Sequence, residues 1–157
     1  MSSKLTIVVD LDGTLKTDVG AVPPFEVETI TTNCYGKEYI FGIRPHIEEF
    51  LKAAKLKGRL YLGTAAGGGY AEKMLRVLGI TNYFDKVISA QDFVRGFPCL
   101  RNCIFIDNDH ESGLLKINKM GKASTPIIRQ DLWTIDTFLG DSDDKTMLEL
   151  VEEIKQL

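Results

Sequence analysis

No long apolar run occurs anywhere in the 157 residues, and nothing approaches the ~20 consecutive apolar positions that a membrane-spanning helix requires. Cysteine is scarce and odd in number (Cys34, Cys99, Cys103), which argues against the disulfide framework of a small secreted domain. Cys99 and Cys103 lie four apart without further Cys or His pairs, so they do not read as a zinc site. Neither sign of charge dominates. Nineteen Lys and Arg face 22 Asp and Glu, for a net charge of −3 and a pI near 5.4. No basic field therefore advertises a polynucleotide partner, and a nucleic-acid ligand is not favoured although a local patch could hold a strand end. Internal repeats, long linkers and low-complexity segments are also missing. Met1-Ser-Ser-Lys4 runs straight into an apolar stretch with no signal-peptide pattern, so the chain reads as an intracellular protein, cytoplasmic or nuclear. The sequence specifies no oligomeric state.

What is present is an ordinary globular composition, 44% hydrophobic and 26% charged, in a length that suits one domain over 1–157. The stretch around which the chain is organised is Leu5-Thr-Ile-Val-Val-Asp-Leu-Asp-Gly-Thr-Leu15. Its short, nearly all-apolar run, closed by a turn signal, predicts a strand buried on both faces, as in a parallel sheet. Asp10 then falls at the carboxyl end of the strand, where open α/β sheets bind ligands. Asp12 lies two residues on, and Gly13 lets the backbone turn sharply. Two carboxylates in one crevice repel unless a proton or cation separates them. Mg2+, which takes a few hard oxygens and keeps several waters, suits that place. The bland alternative is that Asp10 and Asp12 form a turn and Thr14 caps a helix.

Further along, 25–32 and 38–43 alternate apolar and polar residues around Asn33-Cys-Tyr-Gly36, which predicts a hairpin with a four- or five-residue loop. Pro45 is placed to open a helix with apolar positions Ile47, Phe50, Leu51, Ala54 and Leu56, stopped by Gly58. Strands are expected at 59–63, 86–90 and 102–107, with a helix at 70–78 closed by Gly79. An edge strand is expected at 122–129, with Pro126 inside it, followed by helices at 132–139 and 145–157. On the last helix Leu148, Val151 and Ile154 form an apolar stripe. Three apolar strands thus end in Asp10, Thr64 and Asp107, residues suited to phosphate chemistry. Thr64 leads into the glycine-rich loop Ala65-Ala-Gly-Gly-Gly69, whose amides could reach a phosphate; the alternative for Thr64 is a helix cap.

The string Asp10-Leu-Asp-Gly-Thr-Leu15 resembles the first motif of the haloacid dehalogenase (HAD) superfamily. The resemblance implies an α/β, three-layer Rossmann-like (HAD-like) parallel sheet and a magnesium-dependent phosphomonoesterase. Asp10 would be the nucleophile that forms an aspartyl-phosphate, and Asp12 the general acid and base. Gly13, Thr14, Thr64 and Ala65 would hold the phosphate, and Asp10, Asp12, Asp107 and Asn108 the Mg2+. Asp109 would be a reserve ligand or only a solvated acid. The phosphate-holding cation would be Arg95, favoured over Lys86 because Lys86 begins its strand. The segment at about 25–43 replaces a large cap with a β-hairpin flap, which leaves a site open enough for a phosphate on a macromolecule.

Gly42-Ile-Arg-Pro-His-Ile-Glu-Glu-Phe-Leu51, Thr64-Ala-Ala, Tyr70-Ala71 and Ile106-Asp-Asn-Asp109 resemble stretches of a narrower branch. These are the phosphatases of the RNA polymerase II C-terminal domain, also called nuclear LIM interactor-interacting-factor-like. The resemblance spans most of 4–139. Gly13 departs from the Glu usual in that branch, and the usual Lys-Asp-Leu is missing between Ala90 and Cys103. A phosphoprotein is the favoured substrate. A nucleic-acid 3′-phosphatase, a small phosphomonoester as substrate and a silent phosphate-binding pseudophosphatase are the alternatives.

Overall fold

The computed structural model describes residues 4–94, 102–109 and 132–157. Its centre is β1 (Thr6–Val9), whose four residues are all buried. β1 is flanked on one side by β4 (Arg59–Gly63) and on the other by β6 (Cys103–Asp107), both parallel to it. The five-stranded sheet runs β5-β4-β1-β6-β7, with β5 at Lys86–Ile88 and β7 at Leu132–Thr134, each also parallel to its neighbour. The chain leaves β1 towards β4 and returns to β6 on the opposite side, so β1 sits at the point where strand order reverses. Loops from the carboxyl ends of β1, β4 and β6 therefore open onto one crevice.

Side chains alternate across β1, as a strand requires. Ile7 and Val9 join a large core with residues of α1 (Ile47–Lys57), α2 (Gly68–Leu78) and α4 (Thr146–Lys155). Val8 joins Ile88 and Phe105 in a second cluster. α1 buries Ile47, Phe50, Leu51 and Ala54. Leu56, assigned by periodicity to that face, is 88% exposed. On α4 the expected Val151 and Ile154 are buried together with Met147 and Leu150, whereas Leu148 points outward.

A separate two-stranded sheet pairs β2 (Thr29–Cys34) with β3 (Lys37–Gly42). Its register pairs Cys34 with Lys37, so only Tyr35 and Gly36 form the loop, shorter than expected. Both have positive φ, 53° and 78°, which is the geometry of a tight primed turn. β2 begins at Thr29 rather than Phe25, because Phe25 packs instead where Gly42 and Gly140 have no side chain. The hairpin leans on α2 through Tyr39 and Tyr70, whose rings are 5.2 Å apart.

Two other expectations are corrected. Pro45 precedes α1, with His46 in the left-handed region (φ 66°) between them. Residues 132–134, expected to be helical, form the edge strand β7, because Leu132, Trp133 and Thr134 pair with Phe105, Ile106 and Asp107. The expected edge strand at 122–129 lies outside the described residues. α3 (Ala90–Val94) follows β5.

Candidate active site

β1 delivers Asp10 to the crevice. The Asp10 amide donates to the Ile106 carbonyl at 2.9 Å, continuing the ladder one residue past the strand. The chain then coils tightly: the Leu15 and Gly13 amides donate to the carbonyls of Leu11 (2.9 Å) and Lys16 (2.8 Å). Gly13 needs its φ of +80°, and an added Cβ there would lie 2.5 Å from the Asn108 side-chain amide. The coil is anchored from outside by Arg44, which is 1% exposed. Its Nη1 donates to the Thr14 carbonyl (3.1 Å) and its Nη2 to the Asp136 carbonyl (3.0 Å). Its Nε and Nη2 also bind both carboxylate oxygens of Asp144, at 2.9 and 3.0 Å.

A cleft of about 270 Å³ opens above these strand ends, lined by Asp10, Asp12, Asp18, Thr64, Ala65, Ala66, Asp107, Asn108 and Asp109. Of the residues singled out from sequence, the cleft gathers Asp10, Asp12, Thr64, Ala65, Asp107, Asn108 and Asp109. Thr14 is fully buried beneath it, with Oγ1 donating to Asp10 Oδ2 at 3.2 Å. Arg95 lies outside the described residues. Lys86 begins β5 at the opposite edge of the parallel sheet.

The three strand ends are held differently. Asp107 is buried and accepts the Asp109 amide at 3.0 Å. Thr64 is buried, and its hydroxyl accepts the Ala66 amide at 3.1 Å, which leaves the hydroxyl proton to donate elsewhere. Asp10 keeps a narrow opening to the cleft while surrounding atoms remove most of its water. This burial, with Asp107 and Asp12 nearby, raises its carboxyl well above the ordinary range, against the lowering effect of the Leu11 amide and the Thr14 hydroxyl.

With its amide nitrogen turned inward, Asn108 donates to Asp10 Oδ2 (3.0 Å), Asp107 Oδ1 (3.2 Å) and the Asp12 carbonyl (3.2 Å), while its oxygen accepts from Thr137. Two carboxylates and a backbone carbonyl thus converge on one electropositive point, and the turned-over amide would add a fourth oxygen. That hard-oxygen set fits Mg2+, which fills its remaining positions with water. Among the described residues no group of three or more His, Cys, Asp or Glu side chains is arranged to hold a metal, so the carbonyl and the amide are needed to complete the set.

Sequence reasoning gave no site role to three residues found here. Lys16 is 1% exposed and forms an ion pair with Asp12. Tyr70, on α2, donates its hydroxyl to Asp12 Oδ1 at 2.7 Å. Asp18 lines the cleft. The only available signal for Lys16 was its place four residues after Asp12.

The parallel five-stranded sheet with its small antiparallel hairpin is a fold of the haloacid dehalogenase type. More narrowly, the chain belongs to the NLI interacting factor-like phosphatase family, which it matches over residues 5–157. Among solved structures it is similar to the fission yeast RNA polymerase II CTD phosphatase Fcp1, in its R271A form bound to beryllium fluoride. That likeness has 18% identity and a TM-score of 0.53, over 98% of this chain and 50% of that one. A second structure of Fcp1, described as an essential RNA polymerase II CTD phosphatase, gives 16% identity and a TM-score of 0.57, over 98% and 49%. The chain thus spans about half the length of the structures it matches. A comparison with curated protein sequences finds no match.

Proposed function

We propose that this chain, acting as a single domain, is a magnesium-dependent phosphomonoesterase that works through an aspartyl-phosphate on Asp10. The observation that carries this reading is the convergence of Asp10, Thr64 and Asp107, from three adjacent parallel strands, on one cleft. Asp10 would attack phosphorus as the ester P–O bond breaks, and Asp12 would give the departing oxygen its proton. Asp12 would then take a proton from water, whose oxygen attacks the phosphorus, and the bond to Asp10 breaks to release inorganic phosphate. Thr64 Oγ1 and the amides of Ala65 and Ala66 would bind the phosphate oxygens, above a floor built by the buried turn of Gly13 and Thr14. Asp10, Asp107, Asn108 and the Asp12 carbonyl would hold Mg2+, which neutralises the charge between the carboxylate and the phosphate it approaches. Arg95 remains the proposed phosphate-holding cation.

The substrate proposed is a phosphoprotein. Support comes from the exposed hairpin in place of a lid, which leaves the cleft open, and from the solved relatives, which are named as phosphatases of a polymerase tail. The test compares a phosphoserine peptide with a 3′-phosphorylated oligonucleotide, each with Mg2+ and with EDTA. Metal-dependent release of phosphate from the peptide is expected. Preference for the oligonucleotide would assign the chain to nucleic-acid ends, and phosphate binding without turnover would make it a pseudophosphatase.

A further inference from the structure

Among the described residues, Asp12 is gripped at one carboxylate oxygen. The Lys16 ammonium pairs with Asp12 Oδ1, and the Tyr70 hydroxyl donates to the same atom at 2.7 Å. Both donors are themselves fixed. Lys16 Nζ donates to the Thr17 carbonyl at 3.1 Å and lies over the Phe41 ring (4.7 Å) and the Tyr70 ring (5.6 Å). Tyr70 packs at a 55° tilt against Tyr39 of the hairpin. Lys16 does not line the cleft and is 1% exposed, so its ammonium is spent on these partners and cannot reach a bound phosphate.

We propose that Lys16 and Tyr70 are positioning residues that clamp Asp12 Oδ1 and so confine proton transfer to Asp12 Oδ2. A carboxyl group that donates a proton carries it on one oxygen while the other can only accept. With two donors on Oδ1, the exchangeable proton belongs on Oδ2, and the carboxylate cannot rotate without breaking an ion pair and a hydrogen bond together. The geometry of the acid is thereby set before substrate arrives, which is what efficient general acid catalysis requires. Because Tyr70 also bears the ring that meets Tyr39, the hairpin sits behind the clamp as its support. This inference rests on the phosphatase reading for its consequence, while the clamp itself is a property of the free protein.

The test uses Lys16→Met and Tyr70→Phe, each of which keeps the packing volume and removes one donor. An alkyl phosphate such as phosphoserine needs its leaving oxygen protonated, whereas p-nitrophenolate leaves unaided. Each variant should therefore lose about 10-fold or more in kcat/KM on a phosphoserine peptide, within the ~10²–10⁴-fold that general acids supply, and change little on p-nitrophenyl phosphate. Inhibition by inorganic phosphate should stay the same. The two losses should be non-additive in the double variant, since both act on one oxygen. Three-bond scalar couplings at Asp12 supply a readout without turnover: one side-chain rotamer in the wild type, averaging in the double variant. Equal losses on both substrates, weakened phosphate inhibition, or an unchanged Asp12 rotamer in the double variant would each overturn the clamp. A wild type that shows the rotamer change on mutation but hydrolyses neither substrate would instead overturn the phosphatase reading and leave the clamp standing.

Discussion

Replacing Asp10 by Asn should abolish hydrolysis and at the same time make the metal-free protein more stable. Asp10 Oδ2 and Asp107 Oδ1 lie 3.0 and 3.2 Å from one amide nitrogen of Asn108, so the two oxygens are no more than about 6.2 Å apart. Two full charges at ~6 Å repel by about 3 kcal/mol at an effective dielectric of ~20. Burial of the carboxylate contributes most, Asp107 next and Asp12 less, and together these hold the Asp10 carboxyl well above its usual range. Such a group is strained when ionised, and its cost to folding is present above the unfolded carboxyl pKa of ~3.9 and relieved on protonation. Some of that repulsion is relieved by relaxation and by the Thr14 hydroxyl, so Asn, equal in shape and uncharged, should stabilise by about 2 kcal/mol, or ~4–8 °C in Tm for a chain of this size. Scanning calorimetry in EDTA reads this directly. In Mg2+ the gap should narrow or reverse, because the wild type gains the stabilisation of a ligand bound only to the folded state. An Asn variant that melts below the wild type in EDTA would refute the picture of mutually repelling carboxylates.

Other consequences follow from individual contacts. Asp144→Ala leaves the buried Arg44 guanidinium without its carboxylate, and unfolding by urea should show a loss of about 3–5 kcal/mol. Since Arg44 also holds the Thr14 carbonyl, activity should fall as well. Gly58→Ala would set a Cβ 2.2 Å from the Leu5 carbonyl oxygen, at the entry to β1, so a drop in Tm is expected although φ there is an ordinary −176°. Asp85 accepts hydrogen bonds from Lys55 and the Leu60 amide, and these hold its carboxyl below the usual range. Its stabilising effect is therefore present above the unfolded value of ~3.9 and lost as pH falls through the lower folded value. Asp85 is 39% exposed, so solvent screening keeps the effect at or below about 1 kcal/mol. Stability of Asp85→Asn and wild type should converge in acid and differ at neutral pH.

Much of the fold was legible because the apolar runs are short, uninterrupted and bounded. β4 starts and stops where expected, β1 is the apolar run that leads into Asp10, β6 begins one residue late, and Gly58 and Gly79 end their helices. Tertiary pairing overrode local preference elsewhere. Leu132–Thr134 has a pattern that suits a helix, yet its edge position beside β6 makes it a strand. Leu56 and Leu148 show how periodicity counts an apolar residue without knowing whether a neighbour covers it. In the site, the carboxylates at strand ends could be read because strand direction fixes where they emerge. Lys16 could not, since a lysine in a polar stretch gives no sign that two aromatic rings from distant segments will enclose it. Gly13 was read as a turn former and, by resemblance, as part of the phosphate site. Its further role, making room for the Asn108 amide, depends on a residue 95 positions away.

The most direct measurement is a rapid acid quench of the enzyme turning over a phosphomonoester with Mg2+, followed by tryptic digestion and mass spectrometry. Cleavage after Lys4 and Lys16 isolates residues 5–16, which contain both Asp10 and Asp12. A phosphoryl group on this peptide, located on Asp10 by fragmentation and missing in Asp10→Asn, is the expected result. Turnover without any phosphorylated peptide, or with the label on another residue, would contradict nucleophilic attack by Asp10.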